Sequence, residues 1–289
     1  MKVLVTGAAG FIGTNLIKHL KRVHPDWEIL GYDNYFTGKN ENHVEGVKYI
    51  SGHTWEINQR FETIVFNPDI VFHFGEYSRI VKSFDDRDYV IKSNLRGTTE
   101  VLKYCLDKGA KLIYSASSSK FGNNGADENL SPYSWTKAKM VELIKNYNNW
   151  FGLRYEICYF FNVYGPGQIM TGDYATVIGI FERQLKEGNK LTVVSPGTQS
   201  RDFTHVEDVV RGVVMATQVN MNKEWHFRSG KNERIIDVAK MFAGDNWELI
   251  PERRGERFTS EEFPSDTEKT LGWKAEKELK DWVSEIKNK

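Results

Sequence analysis

The opening of the chain limits its fold more than any other stretch. A short β-branched run, Lys2 to Thr6, meets glycines at positions 7, 10 and 13, and an amphipathic helix follows directly. Ile12, Leu16, Ile17 and Leu20 recur at helical spacing across Phe11 to Val23. Glycine allows the tight turn, lets backbone N–H groups approach a pyrophosphate, and lets helix and strand pack closely. The helix N-terminus favours the negative charge that arrives there. A glycine triplet alone also suits a bare tight turn, so the weight rests on the strand–turn–helix setting. A carboxylate about 20 residues further on, Asp33, belongs to the same pattern.

The following segments repeat the alternation. Glu28 to Tyr32, Val47 to Ser51, Ile70 to Phe74, Lys111 to Ser115 and Tyr155 to Phe161 read as strands. Tyr89 to Leu106 and Tyr133 to about Trp150 read as helices between them. Strands separated by helices imply an α/β fold, a doubly wound (Rossmann) parallel sheet with helices on both faces. Ligands bind at the carboxyl ends of such strands. Three chemically loaded segments sit there: Gly7 to Gly13, His73 to Ser83 and Ser115 to Ser119. Beyond residue 166 the pattern is looser. Asp173 to Glu187 and Val206 to Gln218 read as helices, and Leu191 to Val194 as a strand. Arg234 to Phe242, Trp247 to Ile250 and Ala275 to Ile286 complete a smaller mixed region.

Asp33, at the end of the second strand, can accept both hydroxyls of a ribose and repels a 2′-phosphate, which selects NAD over NADP. A solvated turn aspartate is the alternative reading. Tyr133 and Lys137 lie four residues apart, on one helix face a turn apart. A free phenol ionises near pH ~10, so a base working near neutrality needs a shift of about three units, roughly 4 kcal/mol. A neighbouring ammonium and a positively charged nicotinamide both favour the phenolate. Tyrosine–lysine pairs at this spacing also arise by chance. Ser117 after the fifth strand adds a hydroxyl able to bridge substrate and phenol.

Charge excludes other classes of function. The 289 residues carry 39 basic and 39 acidic side chains with no charged tail, so neither nucleic acid nor an anionic membrane is an expected partner. The two cysteines, Cys105 and Cys158, and seven scattered histidines show no metal-ligand spacing, and no metal is expected. No stretch has the ~20 apolar residues of a membrane span. The glycine-patterned start lacks a signal-peptide cleavage site, so a cytoplasmic protein is expected.

With these residues in view, the chain resembles the extended short-chain dehydrogenase/reductases, specifically the nucleotide-sugar epimerase/dehydratase family of UDP-glucose 4-epimerase type. The motifs run nearly the whole length: GAAGFIG, Asp33-Asn34, His73-Phe74-Gly75, SNLRGT, YSWTK, FFNVYGP, RDFTHVEDV and Arg253-Arg254-Gly255-Glu256. The resemblance implies a catalytic trio of Ser117, Tyr133 and Lys137. It implies dinucleotide contacts from Gly7, Gly10, Phe11, Ile12, Gly13, Asp33, Asn34, Phe74 and Gly75, with Asn94 and Lys137 beside the nicotinamide half. Asn162, Arg201 and Arg253 match positions that grip the sugar nucleotide and its diphosphate, with Ser118 also beside the substrate. Surface ion pairs are the alternative for either arginine. Glu76 stands where the family has a small residue and is expected to make a new polar contact to the sugar. His53-Thr54 replaces the usual aspartate near the adenine, and the loop from Gly122 to Tyr133 is short.

The family's chemistry moves a hydride from sugar C4 to NAD while the phenolate takes the hydroxyl proton. Dehydratases add an Asp-Glu acid/base pair after the catalytic hydroxyl, whereas here those positions are Ser118 and Ser119. The expectation is therefore an NAD-dependent epimerase acting at C4 of a UDP-sugar. A heptose epimerase, reductase, decarboxylase or non-catalytic dinucleotide sensor are the alternatives. The resemblance also implies a homodimer, and a discontinuous α+β substrate domain (166–202 plus 226–289) beside a dinucleotide domain (1–165 plus 203–225). Tyr104, Met140 and Ile144 are read either as part of a dimer seam or as core.

Overall fold

The computed structural model describes residues 1–255 and 265–288. Glu256 of the RRGE motif lies outside the described residues. In chain order the first part comprises β1 Lys2–Thr6, α1 Phe11–Val23, β2 Glu28–Asp33, β3 Lys48–Ser51, α2 Ile57–Arg60, β4 Ile70–His73, α3 Arg87–Val90, α4 Gly97–Lys108, β5 Lys111–Ser117, α5 Pro132–Phe151 and β6 Tyr155–Phe160. Next come β7 Asn162–Tyr164, α6 Val177–Lys186, β8 Leu191–Val194, β9 Ser200–His205, α7 Val206–Thr217 and β10 Glu224–Phe227. The last are β11 Asn232–Arg234, α8 Ile235–Ala243, β12 Trp247–Ile250, α9 Thr267–Leu271 and α10 Leu279–Lys287.

Seven strands form one parallel sheet in the order β10-β6-β5-β4-β1-β2-β3. The order reverses between β1 and β4. Chain leaving β1 goes to one side and chain leaving β4 to the other, which opens a crevice at their carboxyl ends. Side chains alternate across β1: Val3 and Val5 pack with Leu16, Ile17 and Leu20 of α1 and with the valines of α7. Leu4 faces the opposite layer, with Val101 and Leu102 of α4 and Val141 and Ile144 of α5. Both faces of the sheet are thus covered, which is why β4 and β6 are buried at every position. A third core, around Phe181, Leu191, Val238 and Phe242, holds the smaller part together. Its strands form a three-stranded sheet, β11-β9-β7, and a two-stranded one, β12-β8.

Several expected boundaries move. The helix expected over Tyr89 to Leu106 is three pieces, with π-helical turns over Ile91–Arg96 between α3 and α4. α6 starts at Val177 rather than Asp173, because the Thr176 hydroxyl accepts from Gly179 N at 3.0 Å and caps it. Within the mixed region 275–286 the helix is Leu279–Lys287. No local pattern predicts β10, which extends the large sheet across the domain boundary expected at 225/226. Tyr104, Met140 and Ile144 are buried in the core between α4, α5 and the sheet, which removes them from any dimer seam. Cys105 and Cys158 are buried and unpaired thiols. Among the described residues no cluster could hold a metal ion, and no helix is long and apolar enough to cross a membrane.

Candidate active site

The glycine loop joins β1 to α1 at the crevice. Gly7 has φ +68°, and a Cβ there would stand 2.7 Å from the Phe74 carbonyl and 2.9 Å from Gly75 N, so β1 and β4 can lie this close only with glycine. A Cβ on Gly13 would stand 2.1 Å from the Gly7 carbonyl oxygen. Gly10 caps α1 without any side-chain hydrogen bond, and the first turn holds no acidic residue. The N–H groups of that turn therefore suit an anionic ligand, and the loop fits the pyrophosphate of a dinucleotide. Asp33, buried at the end of β2, accepts from Ala9 N at 2.8 Å and Tyr35 N at 2.7 Å. Burial raises the pKa of its carboxyl, and these backbone donors oppose the rise. Each oxygen has a second lone pair for a ribose hydroxyl. Asn34 beside it donates to the Tyr89 hydroxyl at 2.8 Å and holds the turn by accepting from Phe36 N at 3.0 Å.

The chemistry-bearing side chains face the same crevice. Ser131 caps α5 by accepting from Ser134 N at 3.1 Å, and Pro132 pre-sets the first turn. Tyr133 therefore sits at the start of a rigid helix, with Lys137 one turn on. The buried Lys137 ammonium donates to the Glu76 carboxylate and to the Ser115 carbonyl, and lies 4.4 Å from the centre of the Tyr114 ring. Burial lowers the pKa of Lys137, and the Glu76 charge opposes the fall. Ser117, at the end of β5, accepts from Ser119 N at 3.2 Å; Ser118 and Ser119 are buried beside it.

A cleft of about 800 Å³ collects these groups. Every residue expected to serve catalysis, cofactor or substrate lines it, with the exception of Asn94. Asn94 is buried behind the wall, where its amide accepts from Tyr77 N at 2.7 Å and donates to the Tyr77 carbonyl and to Thr136. It braces the 74–79 loop against α5. The Glu76 carboxylate accepts from Thr98 Oγ1 at 2.9 Å, from Tyr114 Oη at 3.1 Å and from Lys137, with which it forms an internal ion pair that the sequence did not suggest. Asn162 donates to the Asp202 carbonyl at 3.0 Å, and Arg201 donates to the Ser200 carbonyl at 2.8 Å. Arg253 is exposed at the rim.

Arg79 of the cleft wall and its partner Tyr174 escaped the sequence reading. Arg79 is half-buried in the wall and donates to the Tyr174 carbonyl through Nε at 2.7 Å. The Tyr174 and Tyr77 hydroxyls both donate to Asp86 at 2.8 Å, so loop 172–175 of the smaller part is tied over the 74–90 segment. Position in the loaded loop after the fourth strand was the available hint for Arg79; nothing local marks Tyr174.

Fold and cleft together define a dinucleotide-dependent enzyme of the doubly wound class. Residues 3–227 match the NAD dependent epimerase/dehydratase family, and the chain belongs to that family. Its cofactor is NAD, and the family is one of NAD-dependent nucleotide-sugar epimerases and dehydratases. The chain is 32% identical over 261 residues to the ADP-L-glycero-D-manno-heptose-6-epimerase of Brachyspira hyodysenteriae, covering 82% of this chain and 79% of that one. It is 26% identical over 305 residues to the UDP-glucose 4-epimerase of Mycolicibacterium smegmatis, covering 98% and 96%. Among solved structures, the UDP-glucose 4-epimerase of Thermotoga maritima with UDP-glucose superposes with a TM-score of 0.88 at 24% identity, over 98% of this chain and 96% of that one.

Proposed function

We propose that the protein epimerises a nucleotide-diphosphate sugar at C4, with a UDP-sugar as substrate, through a 4-keto intermediate. The observation that carries this reading is the meeting of Tyr133, Lys137 and Ser117 in the dinucleotide cleft, with serines rather than an acid/base pair at positions 118 and 119. Bound NAD would supply the oxidant for C4 and return the reducing equivalent to the opposite face. Tyr133 takes and returns the proton of the C4 hydroxyl, and Ser117 orders that hydroxyl against the phenol. Lys137 keeps positive charge near the phenol, which favours its ionised form. Neither Ser118 nor Ser119 can act as a general acid near neutral pH, which separates this site from one that eliminates water.

Arg201 and Arg253 are proposed to hold the diphosphate, since guanidinium groups bind phosphate oxygens in pairs. Asn162 is proposed to bind the sugar nucleotide beside them. A homodimer in the cytoplasm is the accompanying expectation, checked by light scattering and fractionation.

The test is a product assay on UDP-, GDP-, ADP- and dTDP-sugars that separates stereoisomers. A C4 epimer of a UDP-sugar is the expected product; binding without conversion of any sugar would leave a dinucleotide sensor. Tyr133→Phe should keep NAD and lose about 10²–10⁴-fold in turnover. An active Phe variant refutes the base assignment.

A further inference from the structure

We propose that Glu76 is the built-in counter-ion of Lys137, keeping the buried amine a cation and fixing where it points. This makes Glu76 a positioning residue for the proposed reaction, and the kinetic part of its test rests on that reading.

The geometry is a closed chain of polar contacts. Thr98 Oγ1 donates to Glu76 Oε1, so it receives the Nε2–H of His73, 2.9 Å away. His73 Nδ1 is then left to accept from the Thr6 hydroxyl at 2.8 Å, while Thr6 Oγ1 takes the N–H groups of Phe74 and Gly75 at 3.1 and 3.0 Å. The row runs from the β1–β4 crossing to the Glu76 carboxylate, which Tyr114 also supports. Its far end is Lys137, whose side chain is 7% exposed against 3% for Glu76. A carboxylate held by two hydroxyl donors, Thr98 and Tyr114, has little freedom, so the ammonium it binds is held as well.

The other titratable groups around the pair do not compete with it. His73 on β4 is pushed down to about 4 by burial, and burial with the Glu76 charge holds Tyr114 on β5 well above its ordinary value. Both are therefore neutral across the working range. Tyr133 is the remaining group on α5, and Arg79 faces it from the loop after β4 as a cation. Among the described residues Glu76 is the carboxylate in contact with Lys137. Removing that charge lowers the pH at which Lys137 loses its proton, because desolvation then acts unopposed. Where the family resemblance has a small residue, this chain has placed a buried charge, so the Lys137 cation meets the phenol as one half of an ion pair.

The test uses the NAD-loaded protein labelled at lysine Cε, read by carbon NMR against pH, with the Lys137 resonance assigned by its loss in Lys137→Arg. In Glu76→Gln the Lys137 midpoint should fall by about one pH unit or more. The alkaline limb of kcat/KM for UDP-glucose, or for whichever UDP-sugar is turned over, should fall in parallel. Glu76→Asp, which restores the charge, should recover most of both shifts. An unchanged Lys137 midpoint in Glu76→Gln, or a Glu76→Asp that behaves like Gln, overturns the proposal. Should Glu76→Gln fail to fold, Glu76→Gln/Lys137→Met decides: a double variant more stable than the single one supports the pair, and equal instability refutes it. A shifted midpoint without turnover of any sugar keeps this inference and sinks the epimerase reading. Turnover with an unshifted midpoint does the reverse.

Discussion

Gly13→Ala should separate cofactor binding from general stability. The added Cβ would lie 2.1 Å from the Gly7 carbonyl oxygen, 2.9 Å from Gly7 C and 3.0 Å from Ala8 Cα. All three are backbone atoms, so no side chain can swing away. Carbon–oxygen contacts sit at about 3.3 Å or more, so the helix start must lift by roughly 1 Å. α1 is anchored in the core by Leu16, Ile17 and Leu20, which resist that movement. Overpacking of this kind costs about 1–3 kcal/mol, or roughly 2–4 °C of Tm per kcal/mol for a chain of this size. The same displacement pulls the first-turn N–H groups away from the pyrophosphate. Loss of one charge-assisted hydrogen bond is worth about 1.5–3 kcal/mol, so NAD should bind about 10- to 100-fold more weakly. Isothermal calorimetry on protein stripped of NAD measures the affinity, and a thermal melt measures the stability. Gly188→Ala is the control: its φ is +71°, open space surrounds it, and it lies outside the cleft lining. It should lose about 1 kcal/mol of stability and no NAD affinity. Wild-type NAD affinity in Gly13→Ala would refute the close-approach argument for the loop.

Glu156, fully buried on β6, accepts from the N–H groups of Met221, Asn222 and Lys223 and from the Trp225 indole, and faces Lys111 Nζ at 3.6 Å. Glu156→Ala strands that buried ammonium and should cost about 3–5 kcal/mol in urea unfolding; a loss under about 1 kcal/mol would contradict the pair's role in joining β10 to β6. His73 and His226 are both pushed down to about 4 by burial. Unfolded histidine titrates near 6.5, so between about pH 6.5 and 4 the unfolded chain binds protons that the native one refuses. Stability should fall through that window by roughly 1.4 kcal/mol per pH unit for each histidine. A His226→Asn variant should show a slope smaller by one proton, and an unchanged slope would show that His226 titrates normally in the folded protein. Tyr174→Phe removes one of the two phenol donors on Asp86 and should cost about 1 kcal/mol, read by the same unfolding curves. A loss of over 3 kcal/mol would mean that the tie between the two parts is cooperative.

The elements legible in the sequence are those whose determinants lie next to one another. β1, the glycine loop and α1 were read with the right boundaries because alternation, glycine spacing and helical periodicity are all local. Tyr133 and Lys137 share a face for the same reason, and strand ends locate the crevice once the sheet is known to be parallel. Local pattern failed where partners come from elsewhere in the chain. The π-helical turns inside 91–96 place Asn94 behind the wall, and β10 is a strand only because β6 offers it an edge. Glu76 illustrates the limit best. Its residue type announced a polar role, but which group it meets depends on β4, β5, α4 and α5 converging at one point. Sequence alone determined the first six strands of the sheet, the dinucleotide loop and the residue types available for proton transfer. Tertiary structure decided which of those side chains meet, because pairing in a buried site depends on distance and on desolvation, and both are set by distant parts of the chain packing together.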